Sequence, residues 1–148
     1  MKFDVERWES FGEDFKALSP RHWLEVAQDK DEVKLDPDWE TYKKADEIGK
    51  MIFVSAREGG ELMGYCVWAI SHPLHFKSTL YAQNDVIYLE PEYRGHWGLK
   101  FIQECERVAK GQGVKKILWG VMSNKDWTKI LKRMGYKQED ILMSKVIS

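Results

Sequence analysis

At Met51 the hydrophobic period of this chain changes from that of a helix to that of a strand, and the change dictates the fold class. "MIFVSAREGGELMGYCVWAIS" places apolar and β-branched runs on both sides of Glu58-Gly59-Gly60-Glu61. This predicts a hairpin whose glycines supply the backbone angles of a tight turn. "STLYAQNDVIYLEP" reads as a third strand, joined to the second through "HPLHFK". The period then returns to 3.6. After Arg94, a helix carries Trp97, Phe101, Cys105 and Val108 on one face, with Gly98, Ile102 and Ala109 beside them. "GQGV" ends it, and "KKILWGVM" reads as a buried strand. "SNKDWTKILKRMG" predicts a short helix capped by Ser123 or Asn124 and stopped by Gly135. "YKQEDILMSKVIS" reads as a last strand or pair of strands.

Upstream of Met51 the chain reads as helical and polar. Phe15, Leu18, Trp23, Leu24 and Val26 recur at helical spacing, with Pro20 expected to split the run into two short helices. "DPDWETYKKADEIGK" opens with Asp and Pro and closes with Gly49 and Lys50, which predicts another helix. The order αα-βββ-α-β-α-β is an α/β (α+β) arrangement, a mixed central sheet flanked by helices. A chain of 148 residues suits one domain, in which residues 1–50 are helical and on the substrate side and 51–148 form the core.

With 43% hydrophobic and 32% charged residues the composition is that of a globular protein. No apolar run approaches the roughly 18 to 20 residues of a membrane span, and "MKFDVERWES" lacks the apolar centre of a signal peptide. Cys66 and Cys105 have no metal-type spacing, so both are expected as reduced core thiols of a cytoplasmic protein. A net charge of −1 gives no global reason to expect nucleic acid as a partner. Seven tryptophans exceed what a core of this size requires, so some are expected to line a surface or groove.

The joint between third strand and helix, "VIYLEPEYRGHWGLKFIQECERVAK", sets an arginine and two glycines at the start of a helix. The plain reading is a tight turn. The functional one is an anion site, because amides at a helix start point outward with partial positive charge. "YLEPEYRGHWG" resembles the pyrophosphate-binding motif R/Q-x-x-G-x-G/A of the GNAT superfamily of acetyl-CoA-dependent N-acyltransferases. "NKDWTKILKRMGY" is similar to the late Asn, short helix, Gly-Tyr pattern of the same family, with Asn124, Gly135 and Tyr136 at the matching separations. The likeness spans about residues 51 to 147, and residues 72–95 also resemble GNAT proteins encoded by bacteriophages. Aligned without a gap, Trp97 and Leu99 stand where the motif has glycine or alanine. A loop one residue shorter makes Gly98 the final glycine and buries Phe101, Ile102, Cys105 and Val108.

The resemblance implies a GNAT-like fold and acetyl-CoA (coenzyme A) as cofactor. It further implies diphosphate contacts from the amides around Gly95, His96, Trp97, Gly98 and Leu99, with Arg94 touching phosphate or bracing the loop. Main-chain contacts would come from Leu89 and its neighbours, and Asn124 would reach the pantetheine arm or simply cap a helix. Many members place a tyrosine acid four residues before the late glycine; here that position is Leu131. The activity implied is transfer of an acetyl group to a primary amine of a small molecule or protein, in a monomer or a homodimer.

For removal of the amine proton, Asp85 is the one carboxylate in mid-strand, where burial would raise its pKa toward a useful value. Simple alternation sets it on the face of Tyr81, Gln83 and Ile87. His72 and His75, just upstream, are the other candidate bases; their spacing lacks further ligands, so no metal is expected. Trp23, Trp39, Glu40 and Asp46 would suit a cationic amine through charge and ring faces. Two other readings stand beside the enzyme. One is a catalytically silent GNAT-fold protein that binds a partner. The other is a nucleic-acid binder using Lys125, Lys129, Lys132 and Arg133, charges that a solvated helix face explains more simply.

Overall fold

The computed structural model describes residues 1–147. Its elements are β1 (Lys2–Glu6), α1 (Trp8–Val26), α2 (Trp39–Glu47), β2 (Met51–Glu58), β3 (Glu61–Ser71), β4 (Tyr81–Leu89), α3 (Pro91–Gly111), β5 (Lys116–Leu118) and α4 (Thr128–Arg133). The strands form one sheet in the order β1-β2-β3-β4-β5. The first four run antiparallel and β5 joins parallel to β4, giving the expected mixed sheet between helical layers. Gly59 and Gly60, with φ of 57° and 86°, close the β2–β3 hairpin at the position the sequence indicates.

Each sheet face has its own core. On one side Val54, Cys66, Trp68, Ala82 and Leu89 pack against Phe101, Cys105, Val108 and Ala109 of α3. Trp68 donates its indole N–H to the Cys105 carbonyl at 3.0 Å, and both cysteines are free and buried. On the other side Phe53, Tyr65, Val67 and Tyr88 meet Phe11, Phe15 and Leu18 of α1, with Trp39 and Tyr42 of α2 alongside. Trp68 is fully buried and the other six tryptophans are half-buried. Trp97 and Trp119 pack at the margin of the first core and Trp8 and Trp39 at that of the second, while Trp127 meets Trp119 edge-on.

Four expectations are corrected. Residues 1–50 are not all helical, because Lys2–Glu6 adds an edge strand to β2, with Phe3 packed edge-on against Trp97. Pro20 does not break α1, which continues to Val26. The missing amide bond is offset by burial of Phe11, Phe15 and Leu18 before it and by ion pairs after it. The "KKILWGVM" strand is three half-buried residues at the sheet edge. The last strand is absent: residues 137–147 carry no strand assignment, and Ile141, Leu142 and Met143 are exposed. Among the described residues no helix is long and apolar enough to cross a membrane.

Candidate functional site

The sheet opens where β4 and β5 part. They pair only at Tyr81–Lys116, Ala82–Ile117 and Gln83–Leu118. At the next residue the Asn84 carboxamide fills the fork, accepting from the Gly120 amide at 2.5 Å and donating to the Gly120 carbonyl at 3.1 Å. A side-chain amide thus terminates the ladder as a backbone amide would. The edge of β4 from Asp85 to Leu89 is left without a fifth strand beside it.

Asp85 sits at the mouth of this fork. Val67 pairs with Val86 and Trp68 with Asn84, so Asp85 is the extra residue of a β-bulge. The bulge breaks the alternation expected from the sequence. Ala82 and Ile87 face the α3 core, whereas Val86 and Tyr88 face the α1 core. Asp85 is exposed, contrary to the expectation of burial, and accepts a short hydrogen bond from the Tyr42 hydroxyl of α2. Burial, together with that carboxylate, pushes the Tyr42 hydroxyl well above the ordinary tyrosine range and keeps it a donor. Among the described residues no cationic side chain pairs with Asp85.

The histidines are not brought to this carboxylate. His72 and His75 lie exposed in the β3–β4 loop. His75 neighbours Phe76, whose ring stacks on Tyr81, four residues and roughly 13 Å along the strand from Asp85. Of the residues proposed for an amine, Trp39 is engaged with Trp8, Phe15 and Tyr42. Asp46 clamps Arg7 at 3.0 Å and the Trp8 amide at 3.1 Å, Trp23 is half-buried and Glu40 is exposed.

The helix start also differs from expectation. α3 begins at Pro91, a residue suited to the first helical position, so Arg94 to Leu99 lie within its first turns. Their amides are spent on carbonyls four residues back and do not form a loop. Arg94 donates from Nε to the Leu89 carbonyl at 2.7 Å and from Nη2 to both Glu25 oxygens at 2.8 Å, and lies over the Tyr88 ring. His96 is exposed and Trp97 packs on Phe3. Asn124, in a 3-10 turn at Ser123–Lys125, donates to the Val26 carbonyl at 3.3 Å. It does not cap α4; Asp126 bonds the Thr128 amide there. Leu131 is 6% exposed, and Tyr136 donates to Glu106 of α3 at 2.7 Å.

Sequence reasoning missed a polar cluster at the end of β4. Glu90, 3% exposed, accepts from Arg21 of α1 at 2.8 Å, and its second oxygen has no partner. His22 bonds the Tyr65 hydroxyl through Nδ1 at 2.8 Å and stacks on Tyr88 at 4.8 Å. Burial drives His22 down to about 4, with Arg94 adding to the depression and Glu25 opposing it. The partners lie on separate elements, and only the i, i+1, i+4 spacing of Arg21, His22 and Glu25 on one helix face was visible.

The fork suits coenzyme A in two respects. An extended, amide-bearing arm matches the free edge of β4. At Gly95 and Gly98 an added Cβ would meet no atom within 4 Å. The chain's own packing therefore does not call for glycine there, although each costs about 0.5–1 kcal/mol in a helix interior. Arg94 is the cation at this helix start, paired with Glu25 and set among Glu90 and Glu92.

Solved structures share this architecture. A predicted acetyltransferase with acetyl-CoA from Clostridium acetobutylicum superposes with a TM-score of 0.71 at 12% identity, over 98% of this chain and 95% of that one. A ribosomal-protein-alanine N-acetyltransferase from Brucella melitensis gives 0.68 at 16% identity, over 100% and 99%. An aminoglycoside acetyltransferase from an uncultured soil metagenomic sample, in complex with sisomicin, gives 0.73 at 10% identity, over 99% and 96%. At such identities these likenesses establish the fold alone. No curated protein matches in sequence. The profile of the Acetyltransferase (GNAT) family matches residues 8–136, and the chain belongs to that family.

Proposed function

We propose that the chain transfers an acetyl group from acetyl-CoA to a primary amine that is cationic in solution, at the mouth of the β4–β5 fork. The observation that carries this reading is the placement of Asp85. It is an exposed carboxylate with no cationic partner among the described residues, turned out by a bulge one residue past the point where the strands part. When bound, acetyl-CoA supplies the activated acyl carbon and a thiolate able to depart. Asp85 attracts the ammonium form of the acceptor and takes its proton, leaving the neutral amine as nucleophile. Tyr42 orients that carboxylate through its hydroxyl. The free edge of β4 and Arg94 hold the cofactor. Leu131 would offer no proton to a leaving thiolate and the Tyr136 hydroxyl is given to Glu106, so neither residue would serve as its acid; the proton the acylated nitrogen gives up would neutralise the thiolate. The acceptors named for the similar structures, a ribosomal protein and an aminoglycoside, both present amines.

Gly98→Val tests the cofactor half of this reading. A Cβ added at Gly98 meets no atom within 4 Å, so the variant should fold with stability within about 0.5 kcal/mol of the parent. Its bulk stands where the cofactor approaches, and titration calorimetry should show acetyl-CoA affinity reduced by about tenfold or more. Equal affinity in a folded variant would move the cofactor away from this helix face.

A further inference from the structure

We propose that the last turn of α1 is a latch across the cofactor fork, and that coenzyme A binds by displacing it. This rests on the cofactor reading above. Both side chains that the family resemblance assigns to the cofactor are occupied by consecutive residues of one helical turn. Glu25 holds Arg94 through both carboxylate oxygens at 2.8 Å, and the Val26 carbonyl holds Asn124 at 3.3 Å. Arg94 belongs to α3 on one side of the fork, and Asn124 belongs to the turn after β5 on the other. The α1 turn therefore bridges the two sides.

The charges agree with a competitive role. Arg21 pairs with Glu90 and Arg94 pairs with Glu25, so the cluster has no net charge with which to attract phosphate. Removing the Glu25 carboxylate leaves one positive charge at the fork. Pro20 has no amide to give the Lys16 carbonyl, so α1 lacks one of its bonds in the turn just before residues 21–26. Beyond Val26 the chain enters a segment without helix or strand until Trp39. Exchanging the Glu25 carboxylate for a phosphate on Arg94 frees this turn, which stands next to His22 and the α1 face of the sheet. The latched population lowers the apparent affinity in proportion.

The test is Glu25→Gln in the full chain, with coenzyme A affinity measured by calorimetry and backbone hydrogen exchange of residues 20–27 followed in the wild type. The latch predicts that Glu25→Gln binds coenzyme A roughly five- to tenfold more tightly. It also predicts that exchange in the last α1 turn of the wild type speeds up on saturation with coenzyme A. If Glu25 instead braces Arg94 for phosphate, the variant binds more weakly or equally, or the turn becomes more protected. Either result overturns the latch and leaves the cofactor site standing. Absence of coenzyme A binding in both proteins overturns the cofactor reading and the latch with it.

Discussion

Asp85→Asn is expected to lower kcat/KM for the amine acceptor by about 10²-fold or more, while leaving acetyl-CoA affinity within twofold or so. Asparagine still accepts the Tyr42 hydroxyl, so the bulge and the contact with α2 survive the change. What disappears is the negative charge that gathers an ammonium ion and the base that relieves it of its proton. His75→Gln is the matched control and should retain full activity, because the β3–β4 loop holds that ring away from the bulge. Loss of activity in His75→Gln with an active Asp85→Asn would transfer the base to the loop.

His22 governs a second large effect, on stability. Its folded pKa of about 4 lies below the ordinary value of 6.5, because burial disfavours the charged ring. The groups around it are Tyr65, Tyr88, Glu25 and Arg94. The unfolded chain therefore binds a proton at His22 more readily than the folded one between those two values, and stability falls as pH drops through that window. From pH 7 to about pH 5 the wild type should lose about 2 kcal/mol through this residue. His22→Asn keeps an acceptor for the Tyr65 hydroxyl and removes the titration. Denaturant unfolding at the two pH values should show that much less loss in the variant. Equal losses would mean that the ring takes up a proton in the fold as readily as in the unfolded chain.

What was legible in the sequence follows from how local each signal is. The β2–β3 hairpin declares itself because period-two patterning and a Gly59-Gly60 turn lie within one stretch of chain. The buried face of α3 is likewise set by its own spacing, and Phe101, Ile102, Cys105, Val108 and Ala109 are buried as read. β1 escaped notice because five charged and apolar residues at a sheet edge carry little pattern, and the strand exists by virtue of pairing with β2. Pro20 misled because its local cost is outweighed by contacts with residues up to 69 positions away. The bulge at Asp85 could not be read from β4 alone, since it is defined by which residues of β3 stand opposite. The residue itself was found for its carboxylate, while its partner Tyr42 comes from a helix 43 positions earlier. The cofactor loop was expected after Arg94, yet Pro91 starts the helix sooner and takes those amides into it.

The central claim is acetyl transfer at this fork, and its most direct measurement is release of free thiol from acetyl-CoA by the wild-type chain. The assay would run across a panel of primary amines: a lysine peptide, a polyamine and an aminoglycoside, each with an acetylated or neutral counterpart. The account predicts amine-dependent thiol release, one equivalent per acetylated product by mass spectrometry, with cationic acceptors favoured over neutral ones. Tight coenzyme A binding without thiol release for any amine would contradict it, and would identify the chain as a catalytically silent member of its family.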